Sequence, residues 1–516
     1  MTHAPAPAPG RPDGRPLVVV VGGGISGLTA AWRLATLPRP PRVVVLEAGA
    51  GFGGKLALGA VGPLEVDLGA ESMLARRPEA LALAREVGLG DDLVHPATTR
   101  ANVVRGGRLH PLPAGTVMGV PSRAEGLEGL LTPAEVERVG AEPGLPAPPL
   151  EADTDVASWV TARVGRAVVD RLVEPLLGGV YAGHAVRLSL QATVPALWAH
   201  ARAGGSLLAA LAAPAGQVPE PSPAPVFAGV RGGVGRLPQA LVARLVERGV
   251  ELRDRTTVRE LARTADGWRL GTGATPSTGP HAGGILTADG VVLAVPARAA
   301  SRLLARACPE ASAELAGVEA ASVAVVAAVV ERAALAGLPG SGVLVPPVEG
   351  RAVKAMTFSS AKWGWVDEAD ERFVVVRFSL GRHGEEAVLQ RDDADLAALA
   401  LADAGDLLGR PLAASAVATR VVRWGGSLPQ PAVGHVERIA RVRAAVATLP
   451  ALAVCGAAVE GVGIPACIAA ATRAASEVAA RLPVAETRPD AARAPGGARI
   501  GGPAQRADDP EARMGT

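Results

Sequence analysis

The clearest pattern in this chain is a short apolar run that leads into spaced glycines and then into a helical stretch. Residues Leu17–Val21 are all apolar and predict a buried strand, and Gly22-x-Gly24-x-x-Gly27 follows at once. A second apolar run, 43–46, ends at Glu47, about 20 residues beyond the last glycine, as in dinucleotide-binding units. This order of strand, glycine turn, helix, strand and acid therefore predicts a dinucleotide site.

Each part of this unit has a physical role in holding a dinucleotide. Gly22 permits the tight turn, Gly24 lets the backbone approach a pyrophosphate, and Gly27 lets the helix pack closely on the strand. The helix N-terminus offers free N–H groups to the phosphates, and Glu47 accepts hydrogen bonds from ribose hydroxyls. The alternative is a glycine-rich turn without a ligand, in a chain with 63 glycines. The predicted binding residues are Gly22, Gly23, Gly24, Ile25, Ser26, Gly27, Glu47 and Ala48.

The remaining apolar pattern predicts an α/β fold (α+β overall) with two sheets. Strands are predicted at 250–253, 256–258, 290–296 and from Leu452, and strands of a second sheet at 323–330, 342–346, 353–358 and 372–380. Residues 102–113 predict a hairpin, with its turn at Gly106 and Gly107. Helices are predicted at 78–88, across most of 122–212, and at 237–248, 394–408 and 466–482.

We expect one Rossmann-like domain assembled from discontinuous segments, with a mixed-sheet substrate domain and a helical subdomain inserted between them. The three segments of the nucleotide domain are placed at 16–105, 226–300 and 416–482. The inserted segments are 106–225 for the substrate and helical part and 301–415 for the substrate domain. Residues 1–15 and 483–516, and the loop 213–226, are rich in Ala and Pro, and both ends are expected to be disordered.

Composition narrows the class of protein. The 516-residue chain has a formal net charge of +2 and only 3% aromatic residues, which argues against a nucleic-acid partner. Cys308, Cys455 and Cys467 show no metal-ligand spacing, and reduced thiols are expected. No apolar run is long enough for a transmembrane segment, and no signal peptide is visible. These features favour a cytoplasmic protein and leave peripheral membrane association open.

A second glycine pair narrows the cofactor. Gly53, Gly54 and Lys55 follow directly after the strand that ends at Glu47. This arrangement resembles the FAD-binding flavoproteins of the amine-oxidase type. The resemblance implies FAD as the cofactor and adds Gly54 and Lys55 to the binding residues, with a solvated surface lysine as the alternative for Lys55.

Further segments resemble the oxygen-dependent protoporphyrinogen/coproporphyrinogen III oxidases. They are 174–183, 357–363, the stretch from Arg423 to His435, and 456–468, which is the closest in sequence. The resemblance covers about residues 16–482. It implies an FAD domain, a substrate domain and a helical domain. It also implies that O2 oxidises a porphyrinogen in three two-electron cycles, giving three H2O2 in haem biosynthesis.

The resemblance also assigns residues to the cofactor. It places the turn after Asp67 beside the flavin, the backbone of Val258 at the adenine, Trp424 near the cofactor, and the N-terminus of the last helix at the flavin ring. A core aromatic is the alternative for Trp424. The residues implied are Gly69, Ala70, Glu71, Ser72, Val258, Trp424, Val462, Gly463 and Ile464. No catalytic base is named, because the flavin carries the redox step.

The carboxylates of a porphyrinogen would favour arginine partners, which pair with carboxylates in a bidentate manner. Arg76 and Arg77 follow the flavin-side turn, and Arg100 begins the hairpin region. These three are the predicted substrate residues. Ordinary solvated arginines are the alternative for each, because arginine is spread over the whole chain.

Several alternatives for the function stay open at this point. Coproporphyrinogen III is preferred as the substrate because abundant Ala, Gly and Pro indicate a GC-rich genome, and the soluble, Gram-positive-like branch of the family uses that pathway. Protoporphyrinogen IX is the first alternative. Another flavin oxidase, acting on amines or carotenoids, and a non-catalytic porphyrin-binding protein follow. A haem-pathway partner such as ferrochelatase, and the choice between monomer and homodimer, are left open.

Overall fold

The computed structural model describes residues 14–212, 225–274, 283–338 and 340–483. The predicted disordered ends and most of the predicted loop 213–226 lie outside these residues. The strands of the described residues are β1 (Leu17–Val21), β2 (Arg42–Leu46), β3 (Leu58–Val61), β4 (Leu64–Asp67), β5 (Met73–Leu74), β6 (Leu93–Val94), β7 (Asn102–Arg105), β8 (Arg108–Pro111), β9 (Thr116–Val117), β10 (Val120–Pro121), β11 (Phe227–Val230), β12 (Glu251–Arg253), β13 (Thr256–Thr264), β14 (Gly267–Ala274), β15 (Ile285–Ala288), β16 (Gly290–Leu293), β17 (Ala320–Glu331), β18 (Gly342–Leu344), β19 (Val353–Phe358), β20 (Phe373–Leu380), β21 (Ala416–Pro429) and β22 (Leu452–Val454).

The helices alternate with the strands in the first and last thirds of the chain and dominate its second quarter. They are α1 (Ile25–Ala35), α2 (Pro78–Glu86), α3 (Pro133–Gly140), α4 (Val156–Val164), α5 (Arg166–Val168), α6 (Glu174–Tyr181), α7 (Leu190–Thr193), α8 (Pro195–Ala203), α9 (Leu207–Ala212), α10 (Arg236–Glu247), α11 (Ala297–Leu304), α12 (Pro309–Ala316), α13 (Arg332–Leu335), α14 (Ser359–Lys362), α15 (Gly364–Asp367), α16 (Asp393–Leu408), α17 (His435–Ala447), α18 (Ala457–Glu460) and α19 (Ile464–Ala479). Within the described ranges, none of these helices is long and apolar enough to cross a membrane.

A five-stranded parallel sheet forms the first layer, in the order β12-β2-β1-β16-β22. Its strands come from three distant parts of the chain. The central strand β1 is apolar throughout because both of its faces are covered. Val18 and Val20 pack into a cluster with α1, α10 and α19, whereas Val19 and Val21 pack into a cluster with α11, α12 and α17.

A seven-stranded sheet forms the second layer, in the order β21-β17-β20-β19-β18-β7-β8. Most of its pairs are antiparallel, and only β18 and β7 run parallel. One face packs on α16, and a smaller cluster that includes β3 and β4 covers part of the other. Helices α4 to α9 bury a separate apolar core beside this sheet. The predicted α/β fold and its two main sheets are confirmed, but β13 belongs to neither of them, because it forms a separate antiparallel sheet with β14 and β15.

Individual elements match the sequence pattern to different degrees. The hairpin at 102–113 turns at Gly106 and Gly107, as predicted, and the predicted strands of both sheets are present. The strand predicted at 290–296 stops at Leu293. β21, which is 14 residues long, was not predicted, because most of its side chains are partly or fully exposed and it lacks a strong apolar run.

Candidate cofactor and substrate site

The glycine turn, defined here as Gly22–Gly27, is built so that side chains are excluded from it. Gly22 has φ +108°, and a Cβ on it would lie 2.4 Å from the carbonyl oxygen of Ala294. A Cβ on Gly27 would lie 1.8 Å from the carbonyl oxygen of Gly22, so only glycine lets α1 pack this closely. Gly24 stands in extended conformation directly before Ile25, the first residue of α1. The turn therefore presents the backbone of the helix N-terminus, including Ser26, to the space beyond β1.

Glu47 closes the glycine turn from the neighbouring strand. The backbone N–H groups of Gly23 and Gly49 donate to its two carboxylate oxygens at 2.7 and 2.6 Å. A carboxylate has further acceptor positions beyond these two bonds, and Ala48, the next residue, is exposed. β13 is held to the same point, because the N–H of Thr256 donates to the Glu47 carbonyl at 2.8 Å. This places Val258, two residues further along β13, on the Glu47 side of the site.

The second glycine pair packs directly against the glycine turn, and an open gap lies beside Gly24. Gly53 donates to the carbonyl of Gly23 at 2.8 Å, and a Cβ on Gly54 would lie only 3.2 Å from the Cα of Gly24, so the two backbones are in contact. A Cβ on Gly24 would meet no atom closer than 4.0 Å, so the space on that side of Gly24 is not filled by protein. Two glycine backbones thus line a space that side chains would occupy in most other turns.

Lys55 directly follows the second glycine pair. Its ammonium group donates to the carbonyl of Ser427. The side chain keeps access to solvent, yet the surrounding protein removes enough water to lower the pKa of Lys55, an effect that nearby Cys467 partly opposes. This combination is typical of a cation that lines a deep cleft.

The Gly69–Ser72 turn lies on the other side of Lys55. The N–H of Ala70 donates to the carbonyl of Lys55 at 3.1 Å, and a Cβ on Gly69 would lie 1.9 Å from the same oxygen. The indole N–H of Trp424 donates to the carbonyl of Leu68 at 3.1 Å. The structure therefore brings Trp424 to Lys55, Gly69 and Ala70, although more than 350 residues separate it from them in the sequence.

Glu71 is directed away from this gap and into a buried ionic cluster. Its carboxylate accepts from Ser359 Oγ at 3.0 Å, Lys362 Nζ at 2.7 Å and Arg377 Nη1 at 2.7 Å. Burial alone would raise the pKa of Glu71, but Lys362 and Arg377 outweigh it and lower that pKa to about 2. Ser72 reaches the same lysine at 3.5 Å. Glu71 thus carries a negative charge at every physiological pH.

Asp67, at the end of β4, joins the same turn to the returning segment of the chain. Its carboxylate accepts from the N–H groups of Val234 and Gly235, each at 2.9 Å. Burial raises the pKa of Asp67 to about 6, although these backbone bonds and Arg377 act in the opposite direction. The contacts fix the residue that precedes the Gly69–Ser72 turn.

The N-terminus of the last helix comes to the glycine turn from the third segment. Gly463 is the N-cap of α19 and Ile464 its first residue, with Val462 just before them. α19 packs along α1 in one apolar cluster. Burial raises the pKa of Cys467, in the first turn of α19, and the nearby Ser26 and Lys55 side chains partly oppose this effect. Two helix N-termini therefore meet at Lys55.

These residues fit an elongated, phosphate-containing cofactor. The gap beside Gly24 is open, the helices α1 and α19 begin next to it, and Lys55 directly follows Gly54. The hydroxyl of Ser427, whose carbonyl holds Lys55, is buried and has no hydrogen-bond partner within the described part of the chain. An unsatisfied buried hydroxyl beside a cation leaves a position for a polar group of a ligand.

The three predicted substrate arginines are not joined into one site. Arg76 and Arg77 are exposed between β5 and α2, and Arg77 pairs with Glu79. Arg100 is also exposed, and it contributes its backbone carbonyl, which accepts from the N–H of Ser341 at 2.7 Å. Among the described residues, no hydrogen bond or ion pair links these arginines to one another. Their role remains a prediction.

Sequence reasoning missed Arg377 and gave no role to Lys362 or Ser359. One signal was available for Arg377: it stands alone as a charge within the apolar run Phe373–Leu380. A buried arginine in an interior strand needs a partner. The identity of that partner, Glu71, was not readable, because about 300 residues separate the two.

Comparison with known proteins gives the class. Residues 25–479 match the family of flavin containing amine oxidoreductases, which is a family of oxidoreductases. Because the match covers most of the chain, the chain belongs to this family. A flavin cofactor follows from the family.

The names of individual relatives are more specific. The chain is 38% identical to coproporphyrinogen III oxidase of Mycobacterium leprae, over 90% of this chain and 98% of that one. It is 31% identical to coproporphyrinogen III oxidase of Bacillus subtilis, over 88% and 96% of the two chains. Human protoporphyrinogen oxidase is 32% identical over 66% of this chain and 72% of its own length. The resemblance to the porphyrinogen oxidases is confirmed.

Solved structures agree with this placement. A crystal structure of an Exiguobacterium protein, described as a protoporphyrinogen oxidase, superposes with a TM-score of 0.77 at 30% identity, over 90% of this chain and 98% of that one. Putrescine oxidase superposes with a TM-score of 0.63 at only 15% identity, over 90% and 99%. The second likeness shows the fold alone.

Proposed function

We propose that this protein binds FAD and oxidises coproporphyrinogen III to coproporphyrin III with O2. The single observation that carries the proposal is the 38% identity to a coproporphyrinogen III oxidase across 98% of that enzyme's length. The open, glycine-lined gap with its lysine and two helix N-termini supports FAD as the flavin. In the overall reaction the porphyrinogen loses six electrons and six protons, and three O2 become three H2O2.

The protein's own residues divide the work of holding the cofactor. The glycine turn and the N-terminus of α1 hold the pyrophosphate, and Glu47 accepts from the ribose hydroxyls. Val258 supports the adenine end. Gly54 gives the backbone close approach to the cofactor, and the Lys55 ammonium offsets the negative charge of the phosphates.

The flavin end would be held by different elements. The Gly69–Ser72 turn and Trp424 lie on one side, and the backbone from Val462 to Ile464 donates N–H groups from the start of α19. Bound FAD supplies two-electron redox chemistry, and the protein supplies binding, orientation and electrostatics. The apolar cluster of Ala182, Ala321 and Val323 packs against Trp424 and keeps water from this side.

Substrate carboxylates would be met by arginine. Arg76, Arg77 and Arg100 are exposed, so their side chains can turn toward a ligand, for which Arg77 would leave its ion pair with Glu79. Coproporphyrinogen III has four carboxylates and protoporphyrinogen IX has two. Arginine contacts should therefore contribute more to the binding of coproporphyrinogen III. We include these three residues in the proposal on that ground.

The test is steady-state turnover of the purified, FAD-loaded protein in air with the two porphyrinogens in parallel. Porphyrin fluorescence and peroxide are followed, and autoxidation without protein is subtracted. The proposal predicts a higher kcat/KM for coproporphyrinogen III and one H2O2 for each two electrons removed. A kcat/KM for coproporphyrinogen III that is equal to or lower than that for protoporphyrinogen IX would contradict the choice of substrate.

Protoporphyrinogen IX is the second candidate substrate. It is favoured by the similarity to human protoporphyrinogen oxidase and by the Exiguobacterium structure. The same pair of assays decides between the two substrates. An Arg77→Gln variant sharpens the decision, because a loss confined to coproporphyrinogen III would assign that arginine to the additional carboxylates.

A further inference from the structure

The Glu71 cluster, defined as Glu71, Ser359, Lys362 and Arg377, joins the Gly69–Ser72 turn to the seven-stranded sheet. Its three charged side chains are only 9–16% exposed. Ser359 and Lys362 form α14, which follows β19, and Arg377 lies in the middle of β20. The three partners thus approach Glu71 from rigid parts of the second layer, about 290–306 residues away along the chain.

The cluster holds the turn at both ends. Arg377 uses one terminal nitrogen for the Glu71 carboxylate and the other for the backbone carbonyl of Gly69. Lys362 contacts Glu71 and lies 3.5 Å from the hydroxyl of Ser72. Because Gly69 also rests against the Lys55 carbonyl and Trp424, a shift of the turn would move the lining of the proposed flavin site.

Stability alone does not account for this arrangement. Replacing a buried ion pair by apolar side chains of similar volume is often neutral or stabilising. The Nε of Arg377 is buried without a hydrogen-bond partner among the described residues, which adds a cost. What the charges provide, and apolar side chains would not, is a fixed position for the Gly69 carbonyl and the Ser72 hydroxyl.

We propose that Glu71 is a positioning residue, which clamps the Gly69–Ser72 turn to the seven-stranded sheet through Lys362 and Arg377 and so sets the geometry and the electrostatics of the flavin site. This inference rests on the proposed function. The cluster holds two cations and one carboxylate, and Asp67 lies within electrostatic reach of both Arg377 and Glu71. A positive charge near the flavin favours its more negative, reduced form, so removing a cation from the cluster should lower the reduction potential and removing the Glu71 charge should raise it.

Two charge variants test the proposal, because they are expected to shift the midpoint potential of the bound flavin in opposite directions. Glu71→Gln keeps the size of the side chain but leaves Lys362 and Arg377 without a counter-charge, and we expect the midpoint potential of the bound flavin to rise. Lys362→Met leaves Glu71 paired with Arg377 alone, and we expect the midpoint potential to fall. A cluster that only stabilises the fold would lower the thermal midpoint in both variants without moving the potential.

The kinetic readout separates positioning from substrate binding. In Glu71→Gln at saturating FAD we expect kcat to fall about tenfold, equal to about 1.4 kcal/mol, and KM for the porphyrinogen to stay within about twofold. Lys362→Arg, which keeps the charge, is expected to retain kcat within about threefold. If Glu71→Gln does not fold, Lys362→Met and Lys362→Arg still give the comparison, because both leave the buried carboxylate paired.

Asp367→Asn is the matched control. Asp367 pairs with Arg332 at 2.6 Å beside the same sheet, but both side chains are exposed, so potential and kcat should equal those of the native protein. If the native protein binds no FAD or oxidises no porphyrinogen, the proposed function fails and the inference falls with it. If the native protein turns over and both charge variants share its potential and kcat, only the positioning role is overturned.

Discussion

The two turns that flank Lys55 are held in contrasting ways. The glycine turn Gly22–Gly27 is fixed by backbone contacts and by Glu47, which lies on the adjacent strand. The Gly69–Ser72 turn is fixed by side chains that arrive from α14 and β20 in the second sheet. The first turn is thus held within the layer of the parallel sheet, and the other depends on the docking of two layers.

This difference suggests a division of labour between the two turns. A locally built turn forms whenever the parallel sheet folds, so it is suited to holding the constant phosphate part of a cofactor. A turn clamped by the second sheet takes its position from the part of the molecule that carries the proposed substrate region. We therefore expect damage to the first turn to weaken cofactor affinity, and damage to the second to lower the rate with the cofactor bound.

The largest effect is expected from Gly27→Ala. Its Cβ would lie 1.8 Å from the carbonyl oxygen of Gly22, so α1 must move off β1. We expect the Kd for FAD to rise at least about 100-fold, equal to about 2.7 kcal/mol, as measured by flavin fluorescence titration. Gly51→Ala is the control, because no atom lies within 4 Å of its Cβ position. Normal flavin affinity in Gly27→Ala would contradict the close-packing account.

Arg377→Met should produce the next largest effect, which is expected mainly on kcat and less on FAD affinity. It releases the Gly69 carbonyl and leaves Glu71 to Lys362 alone, while the glycine turn is untouched. We expect kcat at saturating FAD to fall about tenfold, with a smaller change in FAD affinity than in Gly27→Ala. Steady-state kinetics across a range of FAD concentrations measures both quantities. A loss of FAD affinity with normal kcat would contradict the proposed difference between the two turns.

Glu47→Gln should give a moderate loss of affinity only. The amide keeps one acceptor oxygen but loses the charge that strengthens bonds from N–H and ribose hydroxyl groups, worth about 1.5–3 kcal/mol. We expect the Kd for FAD to rise about tenfold, with kcat at saturating FAD within about twofold. Glu65→Gln, an exposed acid on β4, is the control. A fall in kcat at saturating FAD would count against the assignment of Glu47 to affinity.

The smallest expected effect is a difference in how the free energy of unfolding falls as the pH is lowered. The pKa of Glu71 is lowered from 4.5 to about 2 in the folded protein, so its contribution to stability is present above pH 4.5 and is lost as the pH falls toward 2. Denaturant unfolding from pH 6 down to pH 3 should therefore show a steeper loss in the native protein than in Glu71→Gln. Parallel curves for the two proteins would show that Glu71 is not held in this way.

The contribution of Asp67 to stability changes with pH in the opposite direction to that of Glu71. Its pKa is raised from 3.8 to about 6 in the folded protein, so its contribution is present below 3.8 and is lost as the pH rises through about 6. Both proteins contain Asp67, and Glu71 is the smallest of the causes that shift its pKa, so the difference between their curves mainly reports Glu71.

The sequence was sufficient for the parts of the molecule that depend on neighbours in the chain. The strand, the glycine turn and the acid lie between Leu17 and Glu47 at fixed spacings, because their roles depend on backbone geometry that is close by in the sequence. Strands such as β1 and β17 could be predicted because apolar side chains on both faces leave a continuous run. The resemblance to known flavoproteins added the Gly69–Ser72 turn, though not what holds it.

The rest depends on contacts between distant segments. β21 pairs with β17 at the edge of its sheet, and its largely exposed side chains give no apolar run to detect. The partner of Glu71 could not be chosen among so many arginines before the fold brought Arg377 to it. The same abundance of arginine leaves the substrate residues a prediction, because nothing local distinguishes Arg76, Arg77 or Arg100.

The most direct test of the account is anaerobic stopped-flow mixing of the FAD-loaded protein with coproporphyrinogen III, followed by the absorbance of the oxidised flavin. We expect this absorbance to bleach in one turnover, faster than with protoporphyrinogen IX, and to return when O2 is admitted. A flavin that stays oxidised with both porphyrinogens, and is bleached by an amine instead, would contradict it.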